Sequence, residues 1–249
     1  MIQKTNKPKE QYLKIFVYGE SGIGKTYLAK TMDNVLVLSI EHGLLTLQDE
    51  EIDFIDLNLD EKQIPLQPKD KYKFWMTVLN TLKTKKDYKW IMLDSFTELS
   101  NQLYSALYPN YLISTHDGKQ RIDFSMYNEF FLKIRSLLSS ILSLPYNIVV
   151  TGHPTFDQES KERKIETYGK MKNILPSFFD EVFFYTKKTN TKNETQRVLI
   201  TQLDEYFYAK DRSNKLDQYE MPNIENIYKK IRGEDGVKVE KLSNKKTKN

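Results

Sequence analysis

An apolar run from Ile15 to Tyr18 leads directly into Gly19-Glu20-Ser21-Gly22-Ile23-Gly24-Lys25-Thr26 and then Tyr27-Leu28-Ala29-Lys30. A buried strand, a G-x-x-x-x-G-K-T loop and a helix start form the Walker A arrangement. Gly19, Gly22 and Gly24 let the backbone curl so that successive N–H groups converge on one point. The segment from Gly19 through Tyr27 then cradles phosphate oxygens, backed by the positive end of a helix predicted over 25–32. In that cradle Lys25 neutralises the β- and γ-phosphates, and the Thr26 hydroxyl holds Mg²⁺. The spacing predicts a site for a nucleoside triphosphate, ATP being the simplest.

Composition narrows the class. The 249 residues, 39% hydrophobic and 29% charged, suffice for one domain with a sizeable core. The polar start is no signal peptide, and no apolar run approaches a membrane span. Absent cysteine excludes disulfides and thiolate ligands and suits a reducing cytosol. The three histidines, His42, His116 and His153, leave little scope for a metal other than Mg²⁺. The net charge of +4 resides in the tail, where Lys238, Lys241, Lys245, Lys246 and Lys248 face only Glu240. Such a tail is expected to be disordered and either touches nucleic acid or simply aids solubility.

In chain order, residues 1–11 read as a flexible lead-in, 12–215 as the folded domain and 216–249 as an extension with a basic end. Continuous apolar runs predict strands buried on both faces over 13–18, 34–40, 89–95 and 147–153, with a weaker strand over 52–59. Helical spacing appears over 70–86, 96–108 and 124–143, and a short element near 223–232. Residues 154–175 read as a polar loop. The runs 181–187, 197–203 and 205–210 read as a meander at the sheet edge. Strands alternating with helices predict an α/β fold: a mainly parallel central sheet flanked by helices, with a C-terminal β meander.

In such a sheet the ligand sits outside the carboxyl ends of the strands. Those ends present the phosphate loop, Glu41, Asp94 and His153. Asp94, after four apolar residues, is the Walker B candidate for Mg²⁺. Ser95 follows it, so a water-activating carboxylate must come from elsewhere; Glu41 is placed first and Glu98 second. His153 is a candidate γ-phosphate sensor. Lys210 and Arg212, two positions apart on an extended segment, form a cationic fork able to reach a neighbouring subunit's γ-phosphate. Glu20 stands where the ParA/Soj-like branch carries a lysine.

Together these elements resemble the RecA-like ATPase core, and more closely the phage-encoded AAA-domain NTP-binding proteins associated with single-strand annealing and recombination. Ser39-Ile-Glu41-His42-Gly43 resembles the segment bearing the catalytic glutamate. Trp90-Ile-Met-Leu-Asp94-Ser95 resembles the Walker B strand, and Val149-Val-Thr-Gly-His153 the sensor strand, where RecA itself has glutamine. The resemblance implies a Mg²⁺-dependent ATPase, stimulated by DNA, that assembles through its nucleotide sites into a ring or filament. It implies DNA contact by 154–175, where Lys161, Arg163, Lys164, Lys170 and Lys172 face Glu159, Glu162 and Glu166, and Phe156 and Tyr168 offer rings for base stacking. Lys210-x-Arg212 resembles the paired trans-acting cations. Only about a dozen residues precede the core, so the N-terminal oligomerisation domain is not expected. Two other readings stay open: a nucleotide or small-molecule kinase, and a nucleotide-gated loader or scaffold for a single-strand-binding or other replication protein.

Overall fold

The computed structural model describes residues 11–234 except 42, 86, 117, 159–160, 190–192 and 204–205. The lead-in through residue 10, the basic tail from 235 and His42 thus lie outside the described residues.

The elements in order are β1 (Lys14–Gly19), β2 (Val35–Ser39), β3 (Asp53–Asp56), α1 (Pro68–Leu82), β4 (Trp90–Asp94), α2 (Phe96–Leu107), β5 (Leu112–Ser114), β6 (Gln120–Ile122), α3 (Ser125–Leu142), β7 (Asn147–Gly152), β8 (Pro154–Phe156), β9 (Arg163–Ile165), α4 (Met171–Ile174), β10 (Glu181–Thr189), β11 (Thr195–Ile200), β12 (Lys210–Asp211), β13 (Tyr219–Glu220) and α5 (Ile224–Arg232). Nine strands form one sheet in the order β13-β11-β10-β1-β7-β4-β2-β3, with β12 pairing β10. From β10 to β3 every pairing is parallel; β11, β12 and β13 add antiparallel strands at one side.

The period-2 alternation of β1 shows why the sheet needs two covers. Phe16 and Tyr18 pack into a core closed by α1, α2 and α3, whereas Ile15 and Val17 pack into a second core that includes Leu28, Trp90, Ile224 and Ile227. Trp75, Leu79 and Leu82 are the buried face of α1, and the Trp75 indole donates to Leu57 O at 2.9 Å. Ser95 caps α2 by accepting from Glu98 N at 3.3 Å. Asn223 caps α5, and Gly233, at φ +79°, closes it in the left-handed region. Leu216, Tyr219, Ile224 and Ile227 are buried, so the extension is part of the body at least through α5.

Three expectations need correction, and one hairpin was not predicted. The segment after the phosphate loop is a short 3₁₀ helix, Thr26–Thr31, rather than an α-helix over 25–32. Its threonines and tyrosine are poor helix formers, and Asn34 at φ +48° reverses the chain. The hairpin that was not predicted is formed by β5 and β6, between α2 and α3. The presumed loop 154–175 is a hairpin of β8 and β9 followed by α4. Residues 181–187 belong to β10, a parallel strand beside β1 and not a meander edge, because Val182, Phe183, Phe184 and Tyr185 are buried on both faces.

The start of β10 also carries a buried acid. Burial, then the nearby Asp211, push the Glu181 carboxyl up to about 8, against backbone N–H donation from Ser213 and Arg212. A raised carboxyl favours folding in its protonated form, so stability is lost as pH rises from the ordinary carboxylate range toward 8. Lys14, lowered to about 8 chiefly by burial, titrates above that window. Thermal melting of the wild type should therefore fall between pH 5 and pH 8, and Glu181→Gln should flatten that fall. An unchanged slope in the variant would reject the assignment.

Candidate active site

The parallel strands place their carboxyl ends along one edge, and the register brings four of them into contact. Gly19 at the end of β1 lies opposite Tyr185, and Ser39 at the end of β2 lies opposite Asp94 at the end of β4. A Cβ on Gly19 would collide with the Tyr185 carbonyl oxygen, so the first loop position admits only glycine. Gly22 at φ +75° and Gly24 at φ +109° supply the left-handed turns that curl the loop.

Lys25 is only 6% exposed and folds back over its own loop, donating to Gly19 O at 2.8 Å and Glu20 O at 3.1 Å. Burial lowers its pKa, opposed by Glu41, Asp94 and Glu20. An ammonium so placed, with loop carbonyls for partners, has the charge and position to receive phosphate oxygens. With a 3₁₀ turn in place of a longer helix, Lys25 and the curled loop carry more of that attraction than an axial dipole does.

Asp94, 1% exposed, is the centre of the polar network. Its Oδ2 accepts from the Thr26 hydroxyl at 2.6 Å and its Oδ1 from the Thr151 hydroxyl at 2.5 Å. Burial raises its pKa, while the Thr151 and Thr26 hydroxyls pull it back. Among the described residues no three His, Cys, Asp or Glu side chains group as a metal site. Thr26 and Asp94 still suit Mg²⁺, which needs only one or two protein oxygens when phosphates and water supply the rest.

Glu41 follows β2. Its N–H donates to Asp94 O at 3.2 Å, and its Oε1 accepts from the Ser95 hydroxyl and lies 3.0 Å from His153 Nε2. Burial pushes this carboxyl up, but the hydrogen bonds from His153 and Ser95 and the charge of Lys25 outweigh it, holding Glu41 below the usual range. His153 Nδ1 lies 3.4 Å from Lys25 Nζ. Because a charged lysine can only donate, Nδ1 is the acceptor and Nε2–H points to Glu41. The predicted base and sensor are thus in direct contact, and Lys25 touches the sensor. Glu98 instead accepts from Gln102 at 2.9 Å, within a network containing Asn58 and Lys71. Ser21, Ile23 and Tyr27 lie along the loop as its spacing requires, with Ile23 buried and Tyr27 half exposed.

Lys210 and Arg212 lie at the opposite end of the strands from their own subunit's site. β12 pairs the start of β10, with Glu181 opposite Asp211, and Glu181 itself lies opposite Ile15 at the start of β1. Lys210 donates to Pro176 O at 2.8 Å and Phe179 O at 2.5 Å, and Arg212 pairs with Asp180 at 2.9 Å. Both cations serve the turn entering β10. Two contributors were not expected at the nucleotide site: Thr151, inside an apolar strand, and Arg163, read only as one basic residue of 154–175, which pairs with Glu20 at 3.5 Å.

The profile of a family described as an AAA domain matches residues 11–213. No curated protein sequence matches the chain. A prototypical ATPase from the type III secretion system of pathogenic bacteria aligns at 17% identity and TM-score 0.42, covering 70% of this chain and 51% of that one. The assembled ATPase EscN from enteropathogenic E. coli aligns at 12% identity and TM-score 0.40, covering 70% and 43%. The chain thus spans about half the length of these structures or less. The chain belongs to the AAA-domain family.

Proposed function

We propose that this protein hydrolyses ATP at the Lys25–Asp94–Glu41 site and couples turnover to single-stranded DNA held by the β8–β9 hairpin. The observation that supports it most is the chain of contacts from Lys25 through His153 to Glu41, continued by the His153 carbonyl, which accepts from Glu166 N at 2.9 Å just beyond β9. The phosphate loop and Lys25 bind the triphosphate, and Glu41 orients a water and takes its proton as the bond to the γ-phosphorus forms and the β–γ bridge breaks. Thr26 and Asp94 would hold Mg²⁺, which would offset phosphate charge. His153 senses an occupied γ-position through Lys25.

The hairpin offers Phe156, 61% exposed, as a stacking ring. Tyr168 does not share that role, because it stacks on Tyr104 at 4.2 Å. Asp157, a carboxylate additional to those counted in the charge balance, engages Lys164 at 2.9 Å, so the hairpin's attraction for DNA is modest. Action in phage-type recombination or annealing, and self-association, rest on the family resemblance. A kinase reading is less well supported: an apolar cavity of about 630 Å³ lies beside Phe54, Leu66 and Phe74. It flanks β3, four strands from β1 and so roughly 19 Å from the phosphate loop at ordinary strand spacing.

Turnover measured against protein concentration should rise in specific activity and be stimulated by single-stranded DNA; flat, DNA-indifferent turnover would remove the DNA-coupled reading. Glu41→Gln should still bind ATP but hydrolyse it at least about tenfold slower. If that variant keeps full turnover, the base lies elsewhere; if ATP-dependent partner binding survives its loss of turnover, the scaffold reading gains. Lys25→Ala should abolish nucleotide binding or turnover, and wild-type hydrolysis by it would sink the site.

A further inference from the structure

Hydrolysis of a phosphoanhydride gains most from a cation on the transferring group, and Lys210 and Arg212 are tied up at the other edge of the sheet. Arg163 is differently placed. Its N–H donates to Tyr206 O at 2.8 Å, and its carbonyl accepts from the Tyr18 hydroxyl at 3.1 Å and from Tyr208 N at 3.4 Å. Tyr18 immediately precedes Gly19, so the backbone of Arg163 is mounted on the strand that carries the phosphate loop. The side chain is freer. It is 45% exposed, lies over the Phe207 ring and pairs with Glu20.

Glu20 is the second residue of the loop, and its carbonyl accepts from Lys25 Nζ at 3.1 Å. Two cations therefore flank one loop residue, Lys25 at its backbone and Arg163 at its side chain. An exposed pair at 3.5 Å is weak, and a terminal phosphate carries more charge and more acceptor oxygens than a carboxylate. Arginine also matches that oxygen arrangement with two donors at once.

We propose that Arg163 is a catalytic arginine acting in cis: when ATP binds, its guanidinium leaves Glu20 and donates to the γ-phosphate oxygens of its own subunit. The inference rests on the ATPase reading and deepens it by naming the cation. It also makes the β8–β9 hairpin part of the catalytic site, so that anything seated on the hairpin acts on the rate through Arg163.

The test uses the full chain. Arg163→Ala should lower kcat by about 10³-fold or more, on the scale of arginine-finger loss. Its affinity for ADP, which lacks the γ-phosphate, should stay within about threefold of wild type, and its capture of ADP with aluminium fluoride should be lost. Arg163→Lys should melt like wild type yet recover little of kcat. Wild-type turnover in Arg163→Ala, or in Arg163→Lys if the alanine variant melts early, would overturn the proposal. Mixing Arg163→Ala with Lys25→Ala should restore no activity; recovery would place the arginine in a neighbour's site and overturn the cis assignment. A wild-type protein that does not hydrolyse ATP would sink the ATPase reading as well, whereas the variant results alone sink only the arginine.

Discussion

The site depends on one buried carboxylate. Asp94 ends a strand with no exposed side chain, and an unpaired charge there would cost several kcal/mol. Both oxygens take a hydroxyl, from Thr26 and Thr151, and the backbone carbonyl takes the N–H groups of Ile40 at 2.8 Å and Glu41 at 3.2 Å. One residue thus joins the phosphate loop, the sensor strand and the segment bearing the candidate base. Moving Asp94 would displace all three, which is why rigid parallel strands rather than loops deliver these groups.

The parts of this arrangement that could be read from sequence are those with a strong local signal. Four continuous apolar runs gave β1, β2, β4 and β7, and residues at or just past their ends gave Gly19, Glu41, Asp94 and His153, because a parallel sheet exposes its carboxyl ends. What could not be read depends on pairing. Residues 181–187 look the same whether the strand lies inside the sheet or at its margin; only register with Ile15 through Gly19 places it beside β1. Lys210 and Arg212 show the same limit. Their two-residue spacing says they share a side but not which end of the sheet that side faces, and antiparallel pairing with Glu181 and Val182 sends them to the far end. Arg163 was legible only as one charge among several, since a hairpin with three residues per strand carries too few apolar positions to announce itself.

The connection between nucleotide and hairpin follows from competition for the same donors. Lys25 holds Gly19 O, Glu20 O and His153 Nδ1 with three N–H bonds, the full complement of an ammonium. A phosphate that takes any of them releases either the loop carbonyls or the histidine. If the histidine is released, its ring keeps Glu41 through Nε2 but no longer links that carboxylate to Lys25. If the loop is released, Glu20 shifts and with it the partner of Arg163. Either change reaches β9, through Glu166 bonded to the His153 carbonyl or through Arg163 itself. The ligand can bias the hairpin only by the difference in its affinity for the two arrangements. Exchange of a few hydrogen bonds, each net about 1 kcal/mol, sets that difference at the scale of ordinary coupling free energies, about 1–3 kcal/mol. Such a bias tunes a rate and a binding preference without unfolding anything, and the anchoring of Arg163 by Tyr18 keeps the mount fixed while only the charged head moves.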